Sequence, residues 1–173
     1  TEISVKLAEH LDCPILSADS RQCYRELGIA TAKPSHEVLA KVKHYFIDTH
    51  TIHAPVSAAG FKTYALKTLN AVYLKNDLCI ITGGSGLYIK AVCEGLDEIP
   101  AVSESIRKEL ENRLQLKGLE KLVMELNKVE PEYTNRVDRE NPRRIIRALE
   151  VYIGTGQPYS SFRTGKKQTR PFE

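Results

Sequence analysis

Four short stretches of this 173-residue chain carry side chains fit for chemistry. The first is Asp19-Ser20-Arg21-Gln22, directly after the apolar run Pro14-Ile15-Leu16-Ser17-Ala18. A carboxylate in that place can accept a proton or hold a metal through water, and the neighbouring guanidinium can meet a phosphate. Both can equally be structural, with Asp19 capping a turn and Arg21 standing in solvent. The second stretch, Thr31-Ala32-Lys33-Pro34, follows a turn at Gly28 and by itself offers a helix cap and a surface lysine. The third is Gly83-Gly84-Ser85-Gly86, whose small residues let backbone N–H groups approach an anion where a helix begins. Ser85 can cap that helix, bond a ligand, or do both. In the fourth, Arg143, Arg144 and Arg147 fall three and four apart, so all three can project from one sector of a helix toward phosphate or RNA backbone. Glu150, one turn further, can instead pair with Arg147 and make it structural.

The elements that must position these groups read as alternating helices and strands. Ile3, Leu7, Ala8 and Leu11 recur at helical spacing, which predicts a helix over 2–11. Residues 14–18 form a buried strand ending at Asp19, 34–42 a short helix opened by Pro34, and Tyr45-Phe46-Ile47-Asp48 a second strand. Ser57 begins a long helix with the face Phe61, Ala65, Leu69 and Val72. Leu78-Cys79-Ile80-Ile81-Thr82 is a third strand, turning through the glycines into another helix. This order predicts an α/β core with a parallel sheet over 1–100. From 101 to 140 the pattern is two consecutive helices without a strand, a helical insertion. Asn141-Pro142 restarts a helix as cap and first residue, with Ile145, Ile146, Leu149 and Ile153 inward and Gly154 or Gly156 as its end. Residues 141–173 are expected to return to the core.

Composition narrows the classes. Hydrophobic residues make up 42% and charged residues 27%, a globular balance. No run approaches the roughly 18 apolar residues of a membrane helix, and no signal leader opens the sequence. Cys13, Cys23, Cys79 and Cys93 lie far apart, which argues against a zinc site or disulfide framework and fits a reducing cytoplasm. The net charge of +3 names no partner, but Arg136, Arg139, Arg143, Arg144 and Arg147 crowd one stretch, and Arg163, Lys166, Lys167 and Arg170 follow without an acid between them. Bottom-up, this is an α/β protein that handles an anionic, phosphorylated ligand.

Taken together and in order, the motifs resemble one family. Residues 15–25, Ile-Leu-Ser-Ala-Asp-Ser-Arg-Gln-Cys-Tyr-Arg, resemble the I-I-S-A-D-S-R-Q-x-Y-R segment of tRNA dimethylallyltransferases. Gly28-Ile29-Ala30-Thr31-Ala32-Lys33-Pro34 resembles their G-x-G-T-A-K-P, with Ala30 in place of the usual Gly. Phe46-Ile47-Asp48, Ser57-Ala58-Ala59-Gly60-Phe61, Gly83-Gly84-Ser85-Gly86-Leu87-Tyr88 and Arg144-Ile145-Ile146-Arg147-Ala148-Leu149-Glu150-Val151 follow in family order. The resemblance covers essentially the whole chain.

It implies a P-loop-like α/β fold with a helical insertion that binds tRNA. It also implies transfer of a dimethylallyl group from dimethylallyl diphosphate to the N6 amine of the adenosine 3′ of the anticodon. By resemblance Asp19 and Ser85 are catalytic, Asp19 accepting the proton of the attacking amine. Asp19, Ser20, Arg21, Gln22, Arg143, Arg144 and Arg147 would touch tRNA, and Thr1, Gly84 and Ser85 the diphosphate. Thr1 would be the last residue of the family's phosphate-binding loop, G-x-T-x-x-G-K-T, and would contact Mg²⁺. The chain is thus expected to be a piece lacking that loop and the C-terminal part, inactive if the loop is truly absent. The parent protein is expected to be a cytoplasmic monomer whose partners are the tRNA anticodon stem-loop and dimethylallyl diphosphate, with no membrane association. Three other readings share part of the pattern: an adenylate isopentenyltransferase acting on free AMP, ADP or ATP, a P-loop small-molecule kinase, and an RNA-binding module without catalysis.

Overall fold

Three short parallel strands carry the first of two compact units in the computed structural model, which describes residues 2–172. β1 (Ile15–Ser17) lies between β2 (His44–Tyr45) and β3 (Ile80–Thr82), in the order β2-β1-β3. Ile15 pairs with His44 on one side and Ile80 on the other, and Leu16 with Tyr45 and Ile81. All of β1 is buried, as a central strand covered on both faces should be.

Parallel pairing requires crossovers, and helices supply them. α1 (Glu2–His10) leads into β1, and α2 (His36–Lys41) leads into β2. The cap of α2 is Ser35, whose hydroxyl accepts from the N–H of Val38, so the helix opens after Pro34 and not at it. α3 (Ala58–Val72) is capped by Ser57 and buries Phe61, Ala65, Leu69 and Val72, the face that periodicity predicts. Phe61, Ala65 and Leu69 pack with Leu16, Phe46, Tyr88 and Val92 into the main core of the unit. Phe46 meets Phe61 edge-on at 4.8 Å, and Phe61 stacks on Tyr88 at 4.4 Å between centroids. α4 (Gly86–Cys93) follows β3 directly.

Two further expectations in this unit need correction. The second strand stops at Tyr45, not Asp48, because Phe46 and Asp48 both take left-handed backbone, with φ of 65° and 51°. On α1 the buried pair is Val5 and Ala8, packed with Cys13, Ile15 and Val42, while Ile3 is 82% exposed. A helix of nine residues presents only one narrow stripe, and the stripe is set by the strand beneath it, not by apolar count.

The second unit is Asp97–Lys166. It contains α5 (Glu104–Lys117), α6 (Leu119–Val129), α7 (Pro131–Arg136), α8 (Pro142–Thr155) and a 3-10 turn at Tyr159–Phe162. Gly118, at φ 77°, makes the bend between α5 and α6. Leu110, Leu122 and Leu126 from α5 and α6 close on Ile145, Ile146, Ala148 and Leu149 of α8. The helix at 142–155 therefore belongs with the insertion and not with the core, which corrects the boundary expected at 140. Only residues from Lys167 onward return to the first unit. Ile153 is 46% exposed, and α8 ends at Gly156 in left-handed conformation. Gly154 instead lies against Val102, where a Cβ would stand 2.3 Å from the Val102 side chain. Among the described residues no helix is long and apolar enough to cross a membrane.

Candidate functional site

Asp19 comes two residues after β1, on the side of the sheet where strands end and ligands of α/β proteins settle. Its carboxylate folds back on its own chain. Oδ1 accepts from the backbone N–H of Arg21 at 2.8 Å and of Gln22 at 3.2 Å. Those two bonds fix the side chain and leave Oδ2 beside the glycine turn, where a Cβ on Gly84 would stand 3.9 Å from it.

The glycine turn is pressed against the same strand end. A Cβ on Gly83 would fall 2.3 Å from the Ala18 carbonyl carbon and 2.8 Å from the Asp19 nitrogen, so only hydrogen fits there. The N–H of Ser85 donates to the Ala18 carbonyl at 3.0 Å, and the Ser85 hydroxyl oxygen accepts from the N–H of Ser20 at 3.0 Å. Ser85 stands at the N-cap of α4 yet makes no capping bond with its side chain. Its oxygen is used across the crevice, and its hydroxyl proton remains available to an incoming acceptor. Asp19, Ser20, Gly84 and Ser85 are thus brought together at a helix N-terminus that favours negative charge.

Arg21 is exposed, and its side chain has no partner among the described bonds. Gln22 differs. Its Oε1 accepts from the Ser17 hydroxyl at 3.0 Å, and its Nε2 donates to the carbonyls of Thr31 and Ala32, each at 3.1 Å. The amide is spent on tying β1 to the loop that carries Thr31, so the contact with tRNA that resemblance gives Gln22 is not supported by its geometry. Lys33 adds a second tie that its ordinary sequence context conceals. Its ammonium donates to the Tyr24 carbonyl at 2.6 Å and meets Asp48 Oδ1 at 2.5 Å, with the lysine side chain only 10% exposed. Ala30, Ala32, Phe46 and Asp48, all left-handed without being glycine, occur in the two loops that these ties join.

The arginines lie in the helical unit. Arg143 and Arg144 are exposed in the first turn of α8, which Asn141 caps by accepting from the N–H of Arg144 at 3.4 Å. Arg147 is turned inward and pairs with Glu150 Oε1 at 3.1 Å. Glu150 is buried, and its other oxygen has no hydrogen bond, only the Arg107 guanidinium at 3.9 Å. The predicted three-arginine face is therefore two free cations and one structural one. The later basic run divides too: Lys167 pairs with Glu94, and Arg170 donates to the carbonyls of Val92 and Ala91 at the end of α4.

No group of three His, Cys, Asp or Glu able to hold a metal occurs among the described residues. Near Asp19 the donors are one carboxylate, half committed to backbone, and one hydroxyl. This set does not make a magnesium site by itself. Thr1, to which resemblance gives a metal contact, lies outside the described residues. The four cysteines are free, with Cys13 and Cys23 buried. Burial raises the Cys79 thiol to about 11, with Cys13 nearby adding to the shift.

The sequence model of the family described as IPP transferase matches residues 22–173. A tRNA dimethylallyltransferase of Cytophaga hutchinsonii is 43% identical over 173 residues, which is 100% of this chain and 57% of that protein. The tRNA dimethylallyltransferase 1 of Phocaeicola vulgatus is 45% identical over 172 residues, with 99% and 57% covered. Among solved structures, the tRNA isopentenylpyrophosphate transferase of Bacillus halodurans shares 35% identity at a TM-score of 0.52, covering 90% of this chain and 52% of that one. A eukaryotic dimethylallyltransferase caught acting on tRNA shares the fold at a TM-score of 0.76, over 99% of this chain and 42% of its own, at 19% identity. The chain spans a little over half the length of the curated relatives it matches, 57% in each of the first two.

Proposed function

The chain belongs to the IPP transferase family, and from that premise we propose that the whole protein transfers a dimethylallyl group from dimethylallyl diphosphate to the N6 amine of the adenosine 3′-adjacent to the anticodon in tRNA. The observation that carries this reading is the pairing of a fixed carboxylate with a fixed hydroxyl at one strand end. Asp19 is held through Oδ1, and Ser85 is held through the N–H of Ser20.

The chemistry needs those two groups. The carbon–oxygen bond of the allylic diphosphate breaks, and the electron pair leaves with diphosphate. The adenine nitrogen forms the new bond to that carbon and sheds a proton. Asp19 Oδ2, the oxygen not engaged by backbone, is the acceptor for that proton. The Ser85 hydroxyl and the α4 N-terminus stabilise the charge that develops on the leaving diphosphate, with the Gly84 backbone beside them. Mg²⁺ is proposed to arrive with the diphosphate; no described residue is assigned to it. Ser20 and Arg21 face the RNA strand entering the crevice, and Arg143 and Arg144 meet its phosphates. A base in a single-stranded loop is the cheapest to withdraw from its stack, which suits an anticodon-loop substrate. Free thiols suit a reducing, cytoplasmic setting, and a monomer is sufficient for the reaction.

The test uses the full-length protein with labelled dimethylallyl diphosphate and Mg²⁺, offering tRNA and AMP separately, beside an Asp19→Asn variant. Label in tRNA that the variant loses is the expected result. Label in AMP alone would reassign the protein to free-nucleotide prenylation, and label in neither would remove prenyl transfer altogether.

A further inference from the structure

The helical unit holds one cation whose fixation the reaction does not explain. Arg163, just after the 3-10 turn, lies over two rings at once: its guanidinium carbon is 5.9 Å from the centroid of Tyr133 and 5.8 Å from that of Tyr159. The two rings meet edge-on at 5.2 Å, so they form a shelf and not a pair of independent contacts. Both tyrosines are half-buried and pack on the core of the unit, whereas Arg163 is exposed.

A buried acid sets this arrangement. Glu130, 5% exposed, accepts from the backbone N–H of Ser160 at 2.6 Å through Oε1. That bond anchors the turn that carries Tyr159 and ends at Arg163. The carboxylate is used on backbone and on no guanidinium, and its Oε2 has no hydrogen-bond partner. No described hydrogen bond or ion pair engages the Arg163 guanidinium. The cation lies within reach of both ring faces, and none of its five N–H donors meets a protein acceptor among the described bonds. Burial raises the pKa of the Tyr133 phenol, with Tyr159 adding to the shift, while the charges of Arg163 and, less, Arg144 act to lower it.

A guanidinium held beside two aromatic rings with its N–H donors unengaged is complementary to a phosphate, which it can take through two parallel bonds. Because its rotamer is already restrained, less conformational entropy is lost when the anion arrives. We propose that Arg163, on the Tyr133–Tyr159 shelf, is a preorganised phosphate contact for the RNA substrate, with Glu130 as the positioning residue that anchors the shelf. The inference rests on the tRNA reading above and extends it to a surface that the arginines of α8 do not define.

The experiment measures equilibrium binding of an anticodon stem-loop RNA to the full-length protein by fluorescence anisotropy across a salt series. Wild type, Arg163→Gln, Arg163→Lys and Tyr159→Leu are compared, with thermal unfolding confirming each fold. Losing one phosphate contact lowers the slope of log K against log salt by about 0.7 to 0.9. Arg163→Gln is expected to show that drop and a several-fold weaker affinity at low salt. Arg163→Lys keeps the slope but not the full affinity, since an ammonium neither stacks as well nor offers a fork. Tyr159→Leu weakens binding while the charge count is unchanged. An Arg163→Gln variant with wild-type slope and affinity overturns the proposal while leaving the transferase reading intact. A wild-type protein that binds no stem-loop overturns both.

Discussion

The crevice around Asp19 and the outer turn of α8 both carry charged side chains, but they are built in opposite ways. At the crevice the side chains are mostly tied to the protein, with Asp19 Oδ2 and the Arg21 guanidinium left without a described hydrogen bond. Asp19 Oδ1 takes two backbone N–H groups, the Ser85 oxygen takes a third, and the Gln22 amide is saturated at both ends. On α8, Arg143 and Arg144 stand free in solvent, and only Arg147 is tied down. A site that must hold atoms at bond-forming distance is fixed before the substrate comes. A surface that must attract a polyanion works by charge and tolerates mobile side chains.

Substitutions at the two places should therefore fail in different currencies. Asp19→Asn keeps the shape and the Oδ1 contacts but removes the proposed proton acceptor. The transfer rate constant should fall roughly 10²- to 10⁴-fold with little change in tRNA affinity, read by single-turnover kinetics. A loss confined to affinity would place Asp19 with the binding surface. Gly83→Ala tests the compression of the crevice, since the new Cβ would sit within 2.4 Å of the Ala18 backbone. It should lower stability by about 3 kcal/mol in denaturant unfolding, and an unchanged midpoint would show that the turn is looser than drawn. Gln22→Leu removes the three ties to Ser17, Thr31 and Ala32. About 2 kcal/mol of stability should be lost, with hydrogen exchange speeding up in 27–34; a variant that loses tRNA affinity alone would restore Gln22 to the RNA-contacting set. The mildest contrast separates neighbours on α8. Arg144→Ala should weaken tRNA binding a few-fold and flatten its salt dependence without touching stability. Arg147→Ala should cost about 1 kcal/mol of stability, because Glu150 keeps only the distant Arg107 and the pair is partly screened. Equal behaviour of the two variants would dissolve the distinction between free and structural arginine.

Much of this organisation is legible in the residues themselves. The first and third strands announce themselves as short apolar runs, the face of α3 as a 3.6-residue period, and the start of α8 as Asn followed by Pro. What escaped follows from interactions that leave no local trace. α7, Pro131–Arg136, is six residues long and mostly polar, with no period to detect. The second strand is cut short by a left-handed Phe46, a conformation that a phenylalanine side chain gives no reason to expect. Gln22 and Lys33 bond to backbone carbonyls nine and ten residues away, and carbonyls are present at every position. The partner of α8 is equally silent in sequence, because an isoleucine stripe specifies that a helix is covered, not by what.

The way the chain leaves and re-enters its first unit has a consequence for how such a protein could be assembled. Asp97–Lys166 is one uninterrupted segment, and its flanks meet: the N–H of Gln168 donates to the Glu94 carbonyl at 2.8 Å, with Lys167 beside Glu94. Exit and entry points so close make the helical unit a cassette, exchangeable in principle for a short turn without stretching the host. They also set an order on the ribosome. The strand and helix 80–93 emerge first, then wait through the synthesis of seventy residues of insert. Only then do Arg170 and Phe172 arrive, to cap the end of α4 and cover Tyr73.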